Sequence, residues 1–302
     1  MNILRRIALA ALAVALLAAP AVSQSAEKGA KPGENAALRY WSAFAQMQDV
    51  GLTDAQAKEL YRVVDGTAPF VPSTYKELIA RNLPALETMA TGTAMPYCDW
   101  GIDYRLGPAA PLDHVGKAAQ LGRLNVLYAM QLEINDRAAA VKTLAVGLRF
   151  SHDVASGGTL LSALLAKSLL MAHLRVMASM LQKKDLTAGE QATLRNALAR
   201  IGPDGVDWQG AVKRELAIYS WPLPTADGVK KLDPQGLAAL ARITHLYVSA
   251  LSNPSVLPEL QKTIAAAPPP LPHEIPYSVP KRVVEQKQEL TRELLKVRAM
   301  LK

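Results

Sequence analysis

The 302-residue chain predicts an all-α protein, an irregular array of antiparallel helical hairpins closed by a Pro-rich strap and a C-terminal helix. Three observations carry that expectation. Apolar residues recur three and four positions apart along most of the chain. Helix start and stop signals fall at the ends of those periodic stretches. No stretch shows the convincing period of two that a half-buried strand needs.

The elements follow in order. Arg5 and Arg6 precede an apolar run from Ile7 to Val22, and Ala21-Val22-Ser23 offers small residues at a cleavage exit. A basic start, apolar middle and small-residue exit form the layout of a secretory signal peptide, assigned to residues 1–23. The run is shorter than the ~20 residues a helix needs to span a bilayer. With no cysteine at the exit for lipid attachment, the expectation is a chain with no stable membrane span after cleavage, periplasmic or secreted. Residues 24–33 read as a flexible entry.

A helical-hairpin domain is expected over 34–266. Leu38, Trp41 and Ala45 repeat on one helical face, with Tyr40, Phe44 and Met47 beside them. Gly51 stops that helix, and Thr53 with Gln56 makes a capping box for the next. Ser73 or Thr74 caps a third segment, which Pro84 is expected to kink or split. Gly92, Pro96, Gly101, Gly107, Pro108 and Pro111 then break periodicity over 92–112. A loop of that length is usually functional or disordered, and its aromatic residues argue for order. Leu121, Leu124, Leu127 and Leu132 line a helix reaching Ile134, and Asn135-Asp136 turns the chain into a second, forming an antiparallel hairpin of tetratricopeptide-like layout. Residues 160–181 hold 16 apolar positions out of 22, but Lys167, His173 and Arg175 argue against a membrane span and for a central, buried helix. Thr187 and Glu190 form another capping box; further helices are expected over 206–220, 234–252 and 257–266. Residues 267–280 form the Pro-rich linker, and 281–302 an amphipathic helix with Leu290, Leu294, Val297 and Leu301 on one seam.

Charge narrows the partners. Lys and Arg number 34 against 26 Asp and Glu, dispersed without a block of like charge, so a nucleic-acid partner is not expected. Cys98 is the single cysteine, which excludes an internal disulfide and predicts a buried thiol. Ser151-His152-Asp153 contains triad residue types, yet consecutive helical positions point about 100° apart and cannot form a relay. The five histidines lack metal-ligand spacing, and no phosphate or dinucleotide loop is present, so no metal and no cofactor are expected.

The best candidate site is Asp99, Trp100, Asp103, Tyr104 and Arg105, a partner- or ligand-binding constellation in the 97–105 loop. Its competing role is a plug that seals the helical core. Paired carboxylates with sugar-stacking aromatics also suit a glycosidase, the alternative here.

Four stretches, Asn35 to Trp41, Cys98 to Pro108, His114 to Leu124 and Gly158 to Leu161, together resemble an uncharacterised family of exported helical proteins typical of planctomycete-like bacteria. The resemblance covers about residues 34–200. It implies an envelope location and helical-hairpin architecture and brings no catalytic residues. The resulting expectation is a non-catalytic binding or scaffold protein of the cell envelope, contacting a protein or peptide. The alternative is an envelope polysaccharide hydrolase using Asp99 and Asp103. Self-association through residues 281–302 is a further expectation.

Overall fold

A computed structural model describes residues 32–49, 51–221, 223–225, 228–230, 232–268 and 278–302. The signal peptide over 1–23, most of the entry over 24–33 and most of the Pro-rich linker over 267–280 lie outside the described residues. The described residues form helices α1 (Ala36–Gln46), α2 (Asp54–Val64), α3 (Pro72–Thr93), α4 (Asp113–Asn135), α5 (Arg137–Val154) and α6 (Leu160–Gln182). They continue with α7 (Ala188–Ala199), α8 (Trp208–Ala217), α9 (Pro234–Ser252), α10 (Leu257–Ala265) and α11 (Ser278–Met300). The fold is all-α. One short antiparallel pair, Leu223–Thr225 with Gly228–Lys230, interrupts the helices; at three residues a strand is too brief for alternation to show in sequence.

Local chemistry sets the helix starts. Both capping boxes form, with the Thr53 hydroxyl accepting from Gln56 N–H and the Thr187 hydroxyl from Glu190 N–H. Asp136 ends α4 and caps α5 at once, accepting from Ala139 N–H, which makes the hairpin turn minimal. Pro84 does not divide α3, which runs as a single helix from Pro72 to Thr93. The carbonyl deprived of its partner belongs to Ala80; both Ala80 and Pro84 are exposed, so water can satisfy it. The last helix starts at Ser278, before Pro280, because proline is tolerated in a first turn.

Packing gives α6 its central place. It touches α4, α5, α8 and α11, and 14 of its residues are buried. The order of packing partly skips sequence neighbours: α1 lies against α3, while α11 returns to α6 and α9. Asn82 of α3 fixes the segment after α1, accepting from Gln48 N–H at 2.8 Å and donating to the Gln48 carbonyl at 3.1 Å.

The C-terminal helix is docked onto the body by its seam. Leu290, Leu294 and Val297 are fully buried and Leu301 nearly so. Polar contacts fix its register: Lys287 pairs with Asp204 at 2.9 Å, Glu289 with the buried Lys167 ammonium at 2.6 Å, and Arg298 donates to the Leu198, Ile201 and Gly202 carbonyls at and just after the end of α7. Gly205 lets this happen. Its φ is +81°, and a Cβ there would lie 2.3 Å from a Leu290 methyl. With the seam buried, self-association through 281–302 has only the outer face of α11, including the exposed Leu295, to use.

Candidate functional site

The 97–112 loop crosses the start of α1 and the end of α5. Asn35 caps α1 through Ala37 N–H and also binds the loop reciprocally, accepting from Asp99 N–H at 2.9 Å and donating to the Asp99 carbonyl at 2.8 Å. Ala36 N–H donates to the Tyr97 carbonyl, and the Ser156 hydroxyl to the Cys98 carbonyl at 2.7 Å. From this anchorage the loop alternates: Cys98, Trp100 and Ile102 are buried, while Asp99, Gly101 and Asp103 face outward. That is a period-two pattern, carried by a single extended strap rather than a sheet.

The five candidate residues therefore separate. Trp100 enters an aromatic nest, stacked on His114 at 4.5 Å and on Phe44 at 6.1 Å, with Tyr40 at 5.7 Å. Its indole N–H donates to the Asp153 carbonyl at 2.9 Å. Asp99 closes a turn by accepting from Gly101 N–H. Asp103 caps the short helical turn Tyr104–Ala109 and pairs with Arg105 through both carboxylate oxygens. Tyr104 reaches away, donating from its hydroxyl to the Gly157 carbonyl at 2.5 Å.

Hydrogen bonds from the Arg105 guanidinium and backbone hold the Asp103 carboxyl down at about 2. A glycosidase acid needs the opposite, a carboxyl raised so that it carries a proton near neutrality. Asp103 is held in the wrong state for that role.

Beneath the loop lies a buried polar network that sequence inspection missed. Tyr40 donates from its hydroxyl to Asp153 Oδ2 at 2.7 Å, and Arg149 Nε approaches the same carboxylate at 2.9 Å. Burial raises the Tyr40 hydroxyl, with the Asp153 charge adding to it, so the phenol keeps its proton and donates. Burial likewise raises the adjacent Cys98 thiol. Ser151 turns elsewhere, donating to the Gly147 carbonyl at 2.6 Å, and His152 stays partly exposed. The three consecutive residues serve three environments.

Asp153→Ala leaves the Tyr40 hydroxyl and Arg149 without their acceptor. Loss of a buried pair partner ordinarily costs several kcal/mol, but Arg149 is 23% exposed and can turn to water. The expected loss of unfolding free energy is about 2–3 kcal/mol, measured by urea denaturation. Asp153→Asn, which still accepts from Tyr40, should recover part of it. Equal midpoints for wild type and the alanine variant would show that the network does not hold the loop.

A second buried cluster joins α4, α5 and α6. The fully buried His173 has Nδ1 2.7 Å from the Leu169 carbonyl and Nε2 2.9 Å from the Asn125 side-chain amide. Gly147 makes room, since a Cβ there would fall 2.0 Å from His173 Nε2. Among the described residues no group of three or more His, Cys, Asp and Glu converges as a metal site.

The accessible feature beside the loop is a cleft of about 210 Å³ where α6 begins. Tyr104, Leu112, Thr159, Leu161, Glu215 and Tyr219 are among its walls. Glu215 of α8 accepts from Leu160 N–H at 3.2 Å, doing from outside the helix what the Thr159 cap residue does not. Leu161 is 51% exposed, and Leu106 of the loop is similarly bare. Glu215 and Thr159 are absent from the sequence-derived site because their meeting depends on how α8 returns to α6. The chain matches no protein-family model, no curated protein and no solved structure.

Proposed function

We propose that this chain is an exported, non-catalytic binding or scaffold protein of the bacterial cell envelope, built as an irregular array of helical hairpins. It contacts a protein or peptide partner. The observation that carries the reading is the cleft at the start of α6, rimmed by the exposed Leu161 and framed by Tyr104 of the loop. Exposed apolar side chains beside a concavity favour partner contact over solvent. Export rests on the signal-like residues 1–23 and the envelope location implied by the sequence resemblance. The polysaccharide-hydrolase alternative is disfavoured by the turn, cap and ion-pair commitments of Asp99 and Asp103.

The test is capture from an envelope fraction by the purified chain, with Leu161→Ser as the comparison. Leu161 is 51% exposed in the first turn of α6, so a small neutral residue there should keep the fold within about 1 kcal/mol. Loss of a captured partner on substitution is expected. Capture that is unchanged by Leu161→Ser, or no capture by wild type, would overturn the assignment of this cleft.

A further inference from the structure

The same cleft has a chemistry of its own. Its volume of about 210 Å³ lies below the ~300 Å³ at which ligand pockets usually begin, so it suits one slender side chain. Glu215 contributes a carboxylate whose Oε2 takes the Leu160 N–H, while no described residue hydrogen-bonds Oε1. Thr159 is 4% exposed, and its hydroxyl makes no hydrogen bond among the described residues, although it occupies the cap position. Tyr104 has its hydroxyl committed to the Gly157 carbonyl, which leaves its ring as lining. Tyr219 supplies a second aromatic wall.

These groups select by charge. Helix N-termini attract anions, but here Glu215 already occupies that position, and a second negative group would face it directly. The neighbouring guanidinium, Arg214, is tied to the Gly158 carbonyl at 2.8 Å and approaches Asp207 at 3.5 Å. What remains is a Glu215 oxygen without a hydrogen bond among the described residues, the Thr159 hydroxyl, which does not cap its own helix, and two aromatic walls. Aromatic faces beside a carboxylate are a recurrent environment for ammonium groups.

We propose that this cleft receives an alkylammonium group, the side chain of a lysine presented by the partner, with Glu215 as its counter-charge and Thr159 as a hydrogen-bond acceptor. The proposal rests on the reading of the cleft as the partner site. The probe is Nα-acetyl-lysine N-methylamide, titrated at neutral pH while the backbone amide signals of Leu160, Leu161 and Tyr219 are followed by NMR. Saturable shifts in the millimolar range are expected, and the Nζ-acetylated form of the same probe should bind at least roughly five-fold more weakly. Glu215→Gln keeps an oxygen for the Leu160 cap and removes the charge; it should weaken the lysine probe by a similar factor while leaving the melting temperature in place. No saturable shift, equal binding of the two probes, or undiminished binding to Glu215→Gln overturns the proposal. If the probe fails while Leu161→Ser still abolishes partner capture, the cleft is the partner site but its ligand is not a cation. If capture survives Leu161→Ser, the reading of the cleft itself has failed.

Discussion

Trp100→Ala is expected to lower the unfolding free energy by about 3–5 kcal/mol, the range for removing a buried tryptophan. Trp100 is 7% exposed, and its loss empties the nest formed by Tyr40, Phe44 and His114. It also removes the donor to the Asp153 carbonyl, next to the network that ties α1 to α5. Denaturant titration and the thermal midpoint read the effect, the latter falling by roughly 10 °C for a domain of this size. Trp100→Phe should lie between, because it keeps a ring in the stack and loses the indole donor. Arg105→Ala provides the contrast: its side chain is 75% exposed and among the described residues pairs only with its near neighbour Asp103, so stability should move by no more than about 0.5 kcal/mol. A Trp100→Ala variant as stable as wild type would show that the ring is displayed for contact and does not plug the core.

This pair of outcomes separates two meanings of the loop that the sequence alone held together. Aromatics and carboxylates crowd into residues 97–105, and that density is compatible with a site or a seal. The structure sorts them by direction. Trp100 and Ile102 go inward with Cys98; Asp99 and Asp103 close local turns; Tyr104 alone reaches the accessible cleft. The alternation over Cys98 to Asp103 runs for only six residues between Pro96 and Gly107, too short and isolated to stand out as a period of two in the sequence.

Legibility followed the range of the interactions involved. The capping boxes at Thr53 and Thr187 and the Asp136 turn depend on residues a few positions apart, so they were readable. The phase of α1 was harder. Leu38, Trp41 and Ala45 repeat regularly, yet the buried face holds Ala36, Ala37, Tyr40, Ala43 and Phe44, and Leu38 is 52% exposed. Both sets fit helical spacing; what decides between them is Tyr40 meeting Asp153, 113 residues away. Periodicity fixes that a helix exists, and tertiary partners choose which side turns in. Glu215 at the head of α6 was invisible for the same reason, 55 residues from the amide it accepts.

The second large effect is acid sensitivity carried by two buried histidines. Burial pushes His173 down to about 4, the Leu169 carbonyl partly opposing it. Burial does the same to His114, which also comes to about 4, with Asp113 partly opposing. His114 is stacked on Trp100, and its buried Nε2 has no hydrogen-bond partner among the described residues. In the unfolded chain both rings titrate near 6.5. Between pH 6.5 and 4 the unfolded state therefore binds protons that the folded state refuses, and stability falls as pH falls. Each ring contributes a slope approaching about 1 kcal/mol per pH unit, and roughly 3 kcal/mol across the window. Exposed Asp103, held at about 2 by Arg105, acts in a lower window and leaves the histidine range clear. Urea denaturation at half-unit steps from pH 7 to 4 should show the decline, and His114→Phe, which keeps a ring on Trp100, should remove about half of it. A slope unchanged in His114→Phe would mean that His114 is not held neutral in the folded chain. Retention of the other half assigns the remainder to His173, whose ring stays neutral if Nδ1 donates to the Leu169 carbonyl and the Asn125 amide turns so that its nitrogen, in place of the oxygen lying 2.9 Å from Nε2, donates to the ring.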